Sequence, residues 1–155
     1  MRLDFSLPRL PDGTRIVNDG VMGGVSAASL SPGAEGLLFA GIVSPENGGG
    51  FCSFRMPVSI PDDAATLTIH VRGDGRRYKL VLRGEDDGFQ YQAGFIAEPA
   101  WQLLRFEPAD FSASHRGQPV EAPPLWLADM CWLGLLISEA QYGPFSLRLR
   151  LVEAA

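Results

Sequence analysis

Alternation of apolar and polar residues with a period of two constrains this chain more than any other feature. In Ala65-Thr66-Leu67-Thr68-Ile69-His70-Val71-Arg72 the apolar residues hold the odd positions and the polar ones the even. That is the pattern of a strand with one buried face. The turn chemistry of Gly73-Asp74-Gly75 follows, and Tyr78, Leu80 and Leu82 then share one face opposite Lys79 and Arg83. The two runs predict an antiparallel hairpin. Phe89, Tyr91, Ala93 and Phe95 alternate with Gln90, Gln92 and Gly94, and Phe145, Leu147, Leu149 and Leu151 alternate with Ser146, Arg148 and Arg150. Further strands are expected at 36–44, 51–58 and 101–106. The run 130–138 is apolar on both faces, as a central strand is.

Helical periodicity is weak, with single turns expected at 108–114 and 124–128. Short strands separated by Gly, Pro and Asp turns predict an all-β fold, a two-sheet antiparallel jelly-roll sandwich. With 155 residues the chain fits one domain, residues 1–155, with a real core. The net charge of −5 and the lack of a basic run argue against nucleic-acid binding. Cys52 and Cys131 read as two reduced, buried thiols, and no Cys or His spacing suggests zinc. The N-terminus shows neither a signal peptide nor a transmembrane span. The expectation is a chain that stays in the compartment where it is made.

Two glycine-rich loops stand out, "VNDGVMGGVS" (17–26) and "SPENGGGF" (44–51). The first has no Lys after its last glycine and no helix pattern behind it, so it lacks the usual partners of phosphate. Asn18, Asp19 and Gly20 suit turns in which side chains bond the backbone, and Gly23-Gly24 lets the chain pass close to another segment. The two loops are expected to brace each other at one end of the sandwich. An alternative is a shallow pocket with Asn18, Asp19, Glu46 and Asn47 as its polar groups. These residues have calcium-binding chemistry but no calcium-loop spacing, so no metal is assigned.

Other candidates come from the strands. His70, Arg72, Lys79, Arg83, Gln90 and Gln92 would form one polar face if their strands are neighbours, either plainly solvated or ligand-binding. Trp101 and Trp132 are assigned to the core and Trp126 to the surface. Gln141 and Tyr142 precede a Gly-Pro turn and are expected at the glycine-loop end. The acidic pairs Asp62-Asp63 and Glu85-Asp86-Asp87 read as solvated loops. Nothing marks a catalytic nucleophile or a carboxylate pair facing across a cleft, so no enzyme activity and no cofactor are expected. Candidate ligand- or partner-binding residues are therefore Asn18, Asp19, Met22, Glu46, Asn47, Arg72, Gln90, Gln92 and Gln141.

The segments "VNDGVMGGVS", "FAGIVSPENGGGFCSFR" and "LISEAQYGPFSLRLRLV", in that order, resemble the complex I intermediate-associated protein 30 family. The pieces "GDGRRYKLVLR", "YQAGF" and "WQLLRFEPADF" are similar as well. The resemblance spans about residues 4–152. It implies a galactose-binding-like jelly roll, related in fold to carbohydrate-binding modules. It also implies a chaperone-like role in assembling respiratory NADH:ubiquinone oxidoreductase. The protein partners expected on that basis are respiratory complex subunits or assembly intermediates. The alternative is a sugar or other small ligand on the polar face of the jelly roll. No N-terminal extension of the mitochondrial kind is present in the sequence, so a stand-alone, cytoplasmic bacterial-type member is expected.

Overall fold

The computed structural model describes residues 1–22, 24–85 and 88–155. About half of the chain is strand and very little is helix. The strands in chain order are β1 (Arg2–Asp4), β2 (Arg15–Ile16), β3 (Ala27–Ser31), β4 (Leu37–Val43), β5 (Cys52–Pro57), β6 (Leu67–Gly73) and β7 (Arg77–Arg83). They continue with β8 (Gln90–Ile96), β9 (Gln102–Phe106), β10 (Ser112–His115), β11 (Gln118–Pro119), β12 (Trp132–Ile137) and β13 (Gly143–Ala154). The predicted helical turns are short 3₁₀ segments, Pro108–Asp110 and Leu127–Asp129.

Two antiparallel sheets form a jelly-roll sandwich. One runs β3-β4-β13-β6-β9, with β1 also paired to β13; the other runs β11-β10-β8-β7-β12-β5-β2. Leu37, Phe39, Leu67, Ile69, Val71, Leu147 and Leu149 of the first sheet meet Phe54, Met56, Tyr78, Leu80, Leu82, Leu133 and Leu135 of the second, all essentially without exposure. Phe39 sits at the junction, its ring edge-on to both Phe54 and Phe145 at 5.0 Å.

The expected hairpin of β6 and β7 does not form. β6 pairs with β13 and β9, whereas β7 pairs with β12 and β8. The turn at Gly73-Asp74-Gly75 carries the chain from one sheet to the other. The reason is that both strands are apolar on one face only. Facing each other across the core buries those faces as well as lying side by side would, and period two alone does not choose between the two.

A second departure lies in β13, where the register shifts between Leu149 and Leu151. The extra residue, Arg150, moves Leu151 off the inner face and turns Val152 and Ala154 inward. This is what a β-bulge does to alternation. Cys52 is buried as expected, but Cys131 is only half-buried, and neither forms a disulfide.

Candidate functional site

The two glycine loops meet around one carboxylate. Asp19 is fully buried. Its Oδ1 accepts the Ser26 amide (3.0 Å), and its Oδ2 accepts the Ser26 hydroxyl and the amides of Gly50 (2.7 Å) and Phe51 (3.4 Å). The Ser26 hydroxyl in turn accepts the Ser44 amide at 2.8 Å. The chain can close this tightly because glycines flank the carboxylate. A Cβ on Gly24 would stand 2.4 Å from Asp19 Cγ, and one on Gly49 would stand 2.4 Å from Oδ2. Burial pushes the Asp19 carboxyl up. The hydrogen bonds from Ser26, Gly50 and Phe51 together outweigh this and hold its pKa below the ordinary carboxylate value.

Both Asp19 oxygens are therefore taken by donors, an arrangement that satisfies an anion and repels a cation. Asp19 offers no surface to a ligand; its role is to join residues 18–26 to residues 44–51. Asn18 reinforces the joint, donating from its side chain to the Ser26 carbonyl at 3.0 Å. Glu46 and Asn47 are exposed at the rim, and Asn47 holds a left-handed backbone (φ 55°) in the 3₁₀ segment Glu46–Gly48. The Met22 side chain and Gly23 lie outside the described residues, as do Asp86 and Asp87.

Gln141 is also consumed by structure. Its Oε1 accepts the Arg77 amide (2.9 Å), and its Nε2 donates to the carbonyls of Arg77 (2.7 Å) and Ser138 (2.8 Å). It thereby imitates a strand neighbour for the start of β7. The next residue, Tyr142, reaches the glycine-loop end, where a Cβ on Gly50 would stand 3.8 Å from its Cε1. Tyr142 is 45% exposed, Ile42 55% and Val25 48%. Ile42 is paired with Ala27 on one side and Pro144 on the other. The clasp is thus rimmed by exposed apolar side chains.

The proposed polar face is divided between the two sheets. Arg72 belongs to β6, and Gln90 and Gln92 belong to β8 in the opposite sheet. Arg72 pairs with Glu35 at 3.5 Å, and Gln92 accepts the Ser114 hydroxyl at 3.1 Å.

Two tryptophans assigned to the core are instead on the outer faces. Trp101 lies beneath the guanidinium groups of Arg150 (4.0 Å from the ring centroid) and Arg72 (5.0 Å), with the His70 ring 4.8 Å away. Trp132 lies beneath those of Arg55 (4.9 Å) and Arg15 (5.2 Å). Trp126 is exposed as expected. Sequence reasoning missed Arg15 and Arg55. The signal for Trp132 was present in the phase of β12: with Leu133, Leu135 and Ile137 inward, Trp132 must face outward.

Two antiparallel sheets with tightly locked loops define a jelly-roll β-sandwich. Solved structures share this fold. The family 11 carbohydrate-binding module of cellulosomal cellulase Lic26A-Cel5E of Clostridium thermocellum matches with a TM-score of 0.67 and 12% identity, over 100% of this chain and 94% of that one. The same family's module in complex with a β-1,3-1,4-mixed-linked tetrasaccharide matches with a TM-score of 0.65 and 13% identity, over 99% and 95%. BiXyn10A CBM1 matches at 0.59 and 14%, over 100% and 96%. At such identities the likeness is one of fold. No curated protein is significantly similar in sequence. The chain belongs to the Complex I intermediate-associated protein 30 (CIA30) family, whose pattern it matches over residues 3–149. Among the described residues no helix is long and apolar enough to cross a membrane.

Proposed function

We propose that this domain is a non-enzymatic docking module that binds a polypeptide during assembly of a respiratory NADH dehydrogenase complex, on the cytoplasmic side of a bacterial membrane. Family membership supplies the class of partner. The observation that carries the reading in this chain is the exposed apolar rim of Val25, Ile42 and Tyr142. It is held in place by the buried Asp19 clasp, and such rims on a rigid support favour protein contact. The test is capture from the native host with the wild-type chain and with an Ile42→Asp/Tyr142→Ser variant. Both positions are exposed, so the variant keeps its melt. The wild type is expected to retain NADH dehydrogenase subunits and the variant to lose them. Equal retention by both, or none by the wild type, contradicts the reading.

A carbohydrate ligand is the second reading, favoured by the exposed Trp126 and by the bound tetrasaccharide of a fold neighbour. Saturable heat on titration with neutral glucans supports it; a flat titration removes it.

A further inference from the structure

A strand at the edge of a sheet offers backbone N–H and C=O groups with which another chain can pair, and edges normally carry charge, proline or very short strands that discourage it. The edge strands here are β1, β2, β3, β9 and β11. All but β3 are protected in this way. β1 carries Arg2 and Asp4, β2 is two residues long with Arg15, β9 carries the exposed Arg105, and β11 is two residues long and ends on Pro119. β3 is five residues long, Ala27-Ala28-Ser29-Leu30-Ser31, with no charge and no proline.

The clasp fixes which backbone groups of β3 face outward. The Ser26 amide donates to Asp19 and the Ser26 carbonyl accepts from Asn18, so neither is spent on β4. Direction alternates along an antiparallel strand. Ala27, Ser29 and Ser31 therefore bond toward Ile42, Ala40 and Leu38 of β4, and the N–H and C=O of Ala28 and Leu30 point away from it. Gly41 of β4 agrees: a Cβ there would collide with the Ala27 carbonyl oxygen, which places that oxygen on the β4 side. Among the described residues no strand lies beyond β3. Residues 17–19 run along β5 instead, with Val17 bonded to Ser53 and Asp19 to Phe51.

The core is open along the same edge. Leu37, Phe39 and Val43 of β4 are sealed. Ala28 and Leu30 next to them pack against the core but are only half-buried. So is Ile16 of β2, the edge of the other sheet that lies beside β3. An apolar seam thus runs beside a row of outward backbone groups. A helix or an acyl chain would cover the seam and leave those groups unpaired, whereas an extended polypeptide satisfies both.

Resting on the docking reading above, we infer that β3 receives an extended segment of the partner polypeptide as an added antiparallel strand. Its backbone bonds Ala28 and Leu30, and its alternate, apolar side chains cover Ala28, Leu30 and Ile16. The edge is continuous with the apolar rim, because Ala27 at the start of β3 pairs with Ile42. A second copy of this chain is disfavoured as the occupant by the charge of −5 that each copy carries.

The test is NMR of the full chain with an uncharged octapeptide of alternating threonine and valine. The same peptide N-methylated at its valines is the control. The first peptide is expected to shift the Ala28 and Leu30 amides and slow their hydrogen exchange; the second is expected to do neither. Ala28→Pro removes a donor that faces away from β4, so it is expected to weaken binding about tenfold and to keep its melt. Ser29→Pro, whose N–H faces β4, is expected to lower the melt. Equal effects of the two peptides, no effect of either, or wild-type affinity in the Ala28→Pro chain overturns the inference. So does a dimer in sedimentation that Ala28→Pro dissociates, since a second copy would then hold the edge. The two peptides are compared on the wild-type chain, so that arm stands even if Ala28→Pro fails to fold. Retention of NADH dehydrogenase subunits by a folded Ala28→Pro chain at the wild-type level would sink this inference alone. A wild-type chain that binds the octapeptide at β3 but retains no such subunit would sink the docking reading instead.

Discussion

Asp19 shows how one residue turns two flexible loops into a fixed end of the sandwich. Taking its carboxylate out of water is unfavourable, and four hydrogen bonds from Ser26, Gly50 and Phe51 reverse the balance. Asp19→Ala leaves those donors buried without an acceptor and is expected to lower stability by about 2–4 kcal/mol, read from denaturant unfolding. The folded pKa is depressed below 3.8. The clasp's contribution is therefore complete above that value and is lost as pH falls through the folded one. Asp19→Asn, already weakened at neutral pH, is expected to lose less between pH 5 and pH 2, in round figures, than the wild type. Parallel acid-unfolding curves would contradict this. Gly49→Ala places a methyl against Oδ2 and is expected to cost about 1–3 kcal/mol; an unchanged melt would show that the loop has room to shift.

Single positions were the part of the site least legible in the sequence. "VNDGVMGGVS" and "ENGGGF" suggested two loops in contact, because glycine pairs permit close approach. They did not show that Asp19 faces inward, since its burial depends on amides some thirty residues away. Gln141 was likewise read as a binding residue, when its amide is spent on Arg77 and Ser138.

At the level of elements, that amide ties the start of β7 to the turn between β12 and β13. Two consecutive non-glycine residues in this turn, Glu139 and Ala140, have φ near +60° (63° and 59°), a conformation that costs energy for each. The Gln141 bonds help to hold it. Gln141→Ala is expected to lower stability by about 1–3 kcal/mol; a wild-type unfolding midpoint would contradict that role. The two cysteines differ in the same local terms. Burial, with the nearby Asp19 charge, pushes the Cys52 thiol up to about 11, so Cys52 in β5 is expected to resist thiol reagents until the protein unfolds. Half-buried Cys131 is expected to react first, which mass spectrometry after brief labelling checks.

Strand existence was readable because alternation marks a half-buried strand wherever it lies. Strand partners were not, as β6 and β7 show. The missed arginines have the same cause. Arg55 alternates visibly with Phe54 and Met56, but its neighbour Arg15 sits in a two-residue strand with no pattern of its own.

The whole molecule is an acidic chain (net charge −5) that places an apolar rim at one end. The sandwich supplies rigidity, and specificity is left to the surfaces. That division fits the docking role proposed above. The most direct measurement of the central claim is the assembly state of NADH dehydrogenase, on native gels, in the host from which this gene has been deleted. The account predicts accumulation of an incomplete subcomplex that is cleared by restoring the wild-type chain but not the Ile42→Asp/Tyr142→Ser chain. A full-sized enzyme at normal level in the deletion strain would contradict it.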